Sequence, residues 1–168
     1  ALSNTDQFLR QARLAMPAGE AHNKAFRHIL KVEGDIVQAA SHLDGRRTFT
    51  TDFPANGFGN AIRTACRVIA NPAGIAVVRV TLSGFDTHGG QAATQARLLG
   101  ELAQGIVALK SAMDELGRWN ETLILTYAEF GRRPRENLSN GTDHGTANVH
   151  LALGGRVAGG FFGERPSL

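Results

Sequence analysis

An apolar run rich in β-branched residues, Ile75 to Leu82, stops at Gly84 and gives way at once to Phe85, Asp86, Thr87 and His88. A segment of this kind reads as a buried strand whose C-terminal end opens onto a polar site. Open α/β sheets place their chemistry at such ends. The pattern returns at Thr122 to Ala128, which runs into Glu129, Phe130, Gly131, Arg132 and Arg133, and Asp143, His144 and Gly145 follow shortly after. Between the two runs, Leu98, Leu102, Ile106, Leu109, Met113 and Leu116 recur at helical spacing, which predicts a helix over 91–116 stopped by Gly117. Strand, helix, strand crossovers are right-handed and make their strands parallel. The expectation is therefore a parallel sheet with Asp86, His88 and Glu129 along one edge.

The rest of the chain supplies layers around that unit. Apolar residues at helical spacing run through Thr5 to Met16 (Phe8, Leu9, Ala12) and Glu20 to Leu43 (Phe26, Ile29, Leu30, Ile36, Val37), so 1–45 reads as a helical segment. His22, His28 and His42 fall on it and take no functional role, as a lone histidine on an amphipathic helix is usually a surface residue. Residues 46–59 mix turn formers with exposed-looking aromatics and read as a loop. A further helix follows from Asn60 to Ala70, with Ile62, Ala65, Cys66 and Ile69 on its buried stripe, and Asn71 to Gly74 turns the chain into the first strand. Cys66 on this stripe behaves as a small apolar side chain rather than a catalytic thiol. Val149 to Leu153 reads as a third short strand, and Val157 to Gly163 as a glycine-broken strand or hairpin. The division is one α/β domain over 1–168, or the C-terminal part of one, with 60–168 as the sheet core.

Composition excludes several classes of partner. The net charge is +3 and the arginines are dispersed, with no basic block longer than Arg132–Arg133, so no nucleic-acid footprint is visible. No apolar run approaches the ~20 residues that span a bilayer, and no basic start with an apolar core opens the chain as an export leader. The single Cys66 excludes an internal disulfide and a thiolate zinc knuckle.

Asp86 and His88 offer an oxygen and a nitrogen ligand two positions apart, and Asp143 and His144 repeat the offer with adjacent residues. Carboxylate plus imidazole, without thiolate, suits Zn²⁺, Mn²⁺ or a related divalent ion. The structural alternatives are that Asp86 caps the next helix and that Asp143 and His144 make loop contacts. His150, inside an apolar strand, reads as a hydrogen-bonded structural histidine. Glu129 is a ligand, a base, or an ion-pair partner of Arg132 or Arg133. Those arginines also match a phosphate or sulfate through the guanidinium fork. No H-E-x-x-H, G-x-x-x-x-G-K-[ST], G-x-S-x-G or strand-linked G-x-G-x-x-G occurs.

Taken in order, Gly84-Phe-Asp-Thr-His88 with Gln91, Glu129-Phe-Gly-Arg132, Glu136-Asn137, Gly141-Thr-Asp-His-Gly145, Leu153-Gly-Gly155 and Gly163-Glu-Arg-Pro-Ser-Leu168 resemble the DUF1501 family over about 53–168. That family is grouped with the alkaline phosphatase and sulfatase superfamily. The resemblance implies a three-layer α/β/α sandwich with a mainly parallel sheet, alkaline phosphatase-like and incomplete in this chain, and an exported or periplasmic setting. It also implies a divalent-metal site in which Asp86, His88, Asp143 and His144 are ligands. Superfamily enzymes carry a hydroxyl or modified-cysteine nucleophile near their N-terminus. Nothing before Gly84 looks like one, and Ser83, Thr87 and Thr142 have no adjacent base to activate them. The chain so read looks like the C-terminal half of a metal-dependent hydrolase of phosphate or sulfate esters. Its cofactor is Zn²⁺ or Mn²⁺, its catalytic candidates are Glu129 and Arg132, and Arg132 and Arg133 take the substrate anion. The alternative is a non-catalytic scaffold that binds a partner or polyanion through the loop from Arg132 to Asn140.

Overall fold

The structure, a computed structural model, describes residues 47–71 and 75–165, together with Lys24, His28 and Lys31, which are helical and exposed. The helices expected over Thr5 to Met16 and Glu20 to Leu43 otherwise lie outside the described residues, as do His22, His42 and most of the 71–74 turn.

Two helices make the core. Helix α1 spans Gly57–Ile69, and its start is fixed by Asn56, whose side-chain oxygen accepts from the Gly59 N–H at 2.7 Å. Helix α2 spans Gln91–Glu115 and ends where the sequence puts its glycine. Gly117 takes φ +68°, its N–H reaches the Asp114 carbonyl at 2.9 Å and the Arg118 N–H reaches Met113 at 2.8 Å, which is a Schellman closure. Phe53, Phe58, Ile62 and Cys66 pack on Ala108, Ala112 and Met113, with Leu102, Leu109, Leu116 and Trp119 around them. The line of closest approach on α2 is built from small residues, Gly105, Ala108 and Ala112, all buried, and the larger leucines of the predicted stripe flank it. All three aromatics of the supposed loop 46–59 belong to this core, Phe58 from the first turn of α1 and Phe49 and Phe53 from the chain before it. Phe53 is buried, and Phe49 packs edge-on to it with ring centroids 5.8 Å apart. The segment carrying them is anchored by Glu115, whose carboxylate accepts from the N–H and hydroxyl groups of both Thr50 and Thr51 at 3.0–3.1 Å.

The expected parallel three-layer sandwich is not the architecture of the described residues. The sheets are two antiparallel pairs. Strand β1, Leu123–Leu125, pairs with β4, Ala152–Gly154, in the register Leu123↔Gly154, Ile124↔Leu153 and Leu125↔Ala152. Strand β2, Gly131–Arg132, pairs with β3, His144–Gly145. Ile75 to Leu82 is not a strand: it joins no ladder, and Val80 and Leu82 instead lean on the helix pair while the Arg79 guanidinium lies 5.8 Å from the Tyr127 ring. An apolar β-branched run shows that one face is buried but not which chain pairs with its edges. The crossover rule, which presupposes a shared sheet, therefore has nothing to act on. The glycine-broken strand or hairpin read at 157–163 is likewise irregular chain. Along β1 and its continuation burial alternates, with Thr122, Ile124 and Thr126 half-buried and Leu123, Leu125 and Tyr127 exposed, so the more apolar face of this strand is the one turned outward. No helix among the described residues is long and apolar enough to cross a membrane.

Two outcomes follow. A Cβ at Gly105 would stand 2.4 Å from the Phe58 ring, whereas one at Gly100 meets nothing within 4 Å. In urea unfolding, Gly105→Val should cost about 1–3 kcal/mol, and Gly100→Ala should add about 0.5–1 kcal/mol. The Glu115 carboxyl is held below its ordinary value of 4.5, first by the Thr50 N–H bond. Its stabilisation is thus present above that value and lost as pH falls through the depressed one. Glu115→Gln should lower the melting temperature at neutral pH and flatten the decline on the acid side.

Candidate metal centre

Two turns, distant in sequence, bring the site together. The first is the turn from Phe85 to Gly90 that precedes α2; the second is the loop 137–143 between β2 and β3. They are laced by backbone bonds: Gly90 N–H to Ser139 at 3.0 Å, Gln91 N–H to Asn140 at 2.7 Å, and Thr142 N–H to Thr87 at 3.3 Å. The loop carbonyls so satisfy the first N–H groups of α2, whose N-cap, Gly90, has no side chain to do it. Asp86 is not the cap. The β2–β3 pairing, with Arg132 opposite His144, fixes the far end of the loop and delivers His144 beside Asp86.

At the centre, Asp86 Oδ1, His88 Nε2 and His144 Nε2 form a triangle. Its edges are 3.1 Å (Asp86–His88), 2.9 Å (Asp86–His144) and 3.2 Å (His88–His144). All three side chains are half-exposed. Imidazole lone pairs that close to one another repel unless a proton or cation sits between them. Ligands at about 2.0–2.2 Å from a common Zn²⁺ in a tetrahedral or octahedral shell stand about 3.0–3.6 Å apart, so this donor set fits a divalent ion. The His144 ring is steadied by Phe130, stacked on it with centroids 3.9 Å apart and planes 18° from parallel.

Arg132 is the strut of the site. Its guanidinium donates to Asp86 Oδ1 at 2.7 Å, to the Phe85 carbonyl at 2.9 Å and to the Thr142 carbonyl, so its ion pair is with Asp86 and not with Glu129. The Asp86 carboxyl is held below its usual range, first by the His144 hydrogen bond, which outweighs the cost of desolvation, and then by the His88 charge and the Arg132 hydrogen bond. Asp143 stands one step back, with Oδ1 3.7 Å from His88 Nδ1, on the far side of that ring from the triangle. Its carboxyl is also depressed, first by the Asn137 amide and then by His88 and Arg133.

Of the residues singled out from sequence, Asp86, His88 and His144 converge, Asp143 borders them through His88, and Arg132 braces them. Arg133 is exposed and its guanidinium makes no hydrogen bond or salt bridge to a described residue; Glu129 is exposed and equally unpaired among them. His150 lies elsewhere, its Nδ1 3.0 Å from the Thr126 carbonyl. Cys66 is fully buried, its thiol pushed up to about 12 by burial, and it plays no part in the chemistry. Phe130 and Asn137 carry structural duties at the site that the sequence reading did not assign, although both sit inside the motifs quoted for it.

A family model described as a protein of unknown function, DUF1501, matches residues 4–168, a wider span than the motifs occupy. No curated protein and no solved structure gives a match.

The two turns touch most closely at Gly141, where a Cβ would stand 2.3 Å from the His88 carbonyl carbon and 2.5 Å from the Gly89 nitrogen. Both neighbours are backbone and cannot swing aside. Gly141→Ala should cost about 1–3 kcal/mol in urea unfolding and shift the ring resonances of His88 and His144 as the turns separate.

Proposed function

The chain belongs to the DUF1501 family, and we propose that it is a divalent-cation-dependent hydrolase of phosphate or sulfate esters, with Zn²⁺ or Mn²⁺ held by Asp86, His88 and His144. The observation that carries this reading is the triangle of one carboxylate oxygen and two imidazole nitrogens with edges of 2.9–3.2 Å. The ester class rests on the likeness of the Asp86-Thr-His88 and Asp143-His-Gly145 motifs to the alkaline phosphatase and sulfatase grouping. When bound, the ion supplies Lewis acidity toward the ester oxygen and lowers the pKa of the attacking oxygen.

The chain's own residues take the remaining tasks. Arg132 keeps Asp86 in place and leaves a positive edge at the rim, while Arg133, which makes no hydrogen bond or salt bridge to a described residue, is the guanidinium available to clamp the ester anion. Glu129, which makes no hydrogen bond or salt bridge to a described residue, is the carboxylate available to move a proton. Thr87 donates its hydroxyl to the Phe85 carbonyl and Thr142 donates to Gln91, so neither is poised as a nucleophile. With these two hydroxyls engaged, water is the attacking group in this reading. A second reading, a scaffold that binds a polyanion without turnover, is favoured by the exposed Arg133 and Arg135 on the 132–140 loop.

Elemental analysis and titration calorimetry with Zn²⁺ and Mn²⁺ should show binding by the wild type and none by Asp86→Ala or His144→Ala. Unchanged binding in either variant ends the cation-site reading. Hydrolysis of aryl phosphate or aryl sulfate by the loaded protein separates the hydrolase from the scaffold, which retains the anion and releases no phenol.

A further inference from the structure

Asn140 is the only residue other than glycine, among the described residues, whose backbone is left-handed, with φ +55°. Asparagine tolerates that conformation better than most side chains. The next position needs glycine for a separate reason: a Cβ there would meet the His88 and Gly89 backbone at 2.3–2.5 Å. Two structural demands thus set Asn beside Gly, the pair in which a side-chain carboxamide and the following backbone nitrogen are least hindered from reacting. The two groups are held differently. The Asn140 side chain is exposed and makes no hydrogen bond to a described residue, whereas the Gly141 N–H donates to Asn137 Oδ1 at 3.0 Å. The chain has one other Asn-Gly pair, Asn56–Gly57, and there the carboxamide is the engaged group, accepting from the Gly59 N–H at 2.7 Å.

We infer that Asn140–Gly141 is a site of self-modification held in check by Asn137. The Gly141 nitrogen attacks Cγ of Asn140: the N–Cγ bond forms, the bond from Cγ to the amide nitrogen breaks, and ammonia leaves with the proton that Gly141 gives up. Water then opens the cyclic imide. Opening at the main-chain carbonyl of residue 140 leaves isoaspartate, whose backbone runs through Cβ and Cγ and is one carbon longer; opening at Cγ leaves ordinary aspartate. Asn137 restrains the first step, because the Gly141 N–H must leave its oxygen before the nitrogen can turn onto Cγ. The products undo the loop. The imide has no N–H left for Asn137, and isoaspartate turns the carbonyl that accepts from the Gln91 N–H at 2.7 Å into a free carboxylate. It also inserts a carbon where the two turns lie backbone against backbone. The loop thereby loses its hold on the first turn of α2. None of this depends on a cation at the centre.

The test is to incubate the folded protein in warm, mildly alkaline buffer below its melting temperature and map it by peptide mass spectrometry, with fragmentation that separates isoaspartate from aspartate. Conversion at Asn140 should be roughly 2–10-fold faster in Asn137→Ala than in wild type, the factor that one net hydrogen bond controls. Conversion at Asn56 should be the same in both. Equal rates at Asn140, or a rise at Asn56 that matches it, overturn the proposal. Should Asn137→Ala fail to fold, folded wild type is compared with the guanidinium-unfolded chain. Asn140 should convert more slowly in the folded protein, and equal rates there overturn the proposal just as firmly. The second readout is the melting temperature before and after incubation. Wild type should lose stability as isoaspartate accumulates at 140, whereas Asn140→Gly, which keeps the left-handed turn and has no carboxamide to cyclise, should lose none. A wild type that holds its melting temperature while isoaspartate accumulates, or an equal loss in both proteins, overturns the consequence assigned to this position.

Discussion

A single carboxylate oxygen, Asp86 Oδ1, is approached by two imidazoles and a guanidinium within 2.7–3.1 Å. Crowding three nitrogen groups on one oxygen is stable only if the backbone beneath each is held independently, because half-exposed charges are screened and cannot organise their own surroundings. Arg132 does much of that holding. It binds the Phe85 carbonyl and Asp86 on one turn and the Thr142 carbonyl on the other, and its side chain is the most sheltered of the charged groups at the centre, at 19% exposure. A planar guanidinium with five donors suits a strut that must bond a carboxylate and two carbonyls in fixed directions, which a lysine ammonium on a flexible stem does not.

The helix pair and the site make different demands on the same chain. Small residues along α2 let α1 approach closely, and the larger side chains seal the flanks. That packing fixes the start of α2, and the first N–H groups of α2 in turn recruit the carbonyls of Ser139 and Asn140. The loop is therefore docked on the helix before any side chain of the site is considered. Where the loop and the His88 turn meet, glycine at 141 is what allows backbone to lie against backbone. The centre is thus mounted on a helix end, and the two-stranded β2–β3 ladder supports its far side.

Much of this was legible from residue order. The helix over 91–116 was read to within a residue at its end because its period and its terminal glycine agree. Asp86, His88, Asp143 and His144 stood out because acid and imidazole recur at short spacing beside apolar segments, and the structure brings Asp86, His88 and His144 together with Asp143 bordering His88. Phe49 and Phe53 were misplaced, as a segment with no period gives no sign that Glu115 pins it over the helices. Arg132 was assigned to substrate or to Glu129, because adjacency in sequence favours a near partner, whereas its carboxylate lies 46 positions earlier in the chain.

What the sequence determined by itself is local: that 91–116 is a helix and where it stops, that a shorter helix precedes it although it begins at Gly57 and not at Asn60, and which side chains have the chemistry of cation ligands. Only the tertiary structure decided the pairing. The run from Ile75 to Leu82 looked like one half of a parallel pair, yet β1 takes β4 as an antiparallel partner and the run is held by side-chain packing. Asp86, His88 and His144 still meet, by a different route from a shared sheet edge: hydrogen bonds between two turns, not strand direction, bring them together. Periodicity reports how each segment divides between core and solvent, whereas the choice of partner depends on competing long-range contacts that no local pattern encodes.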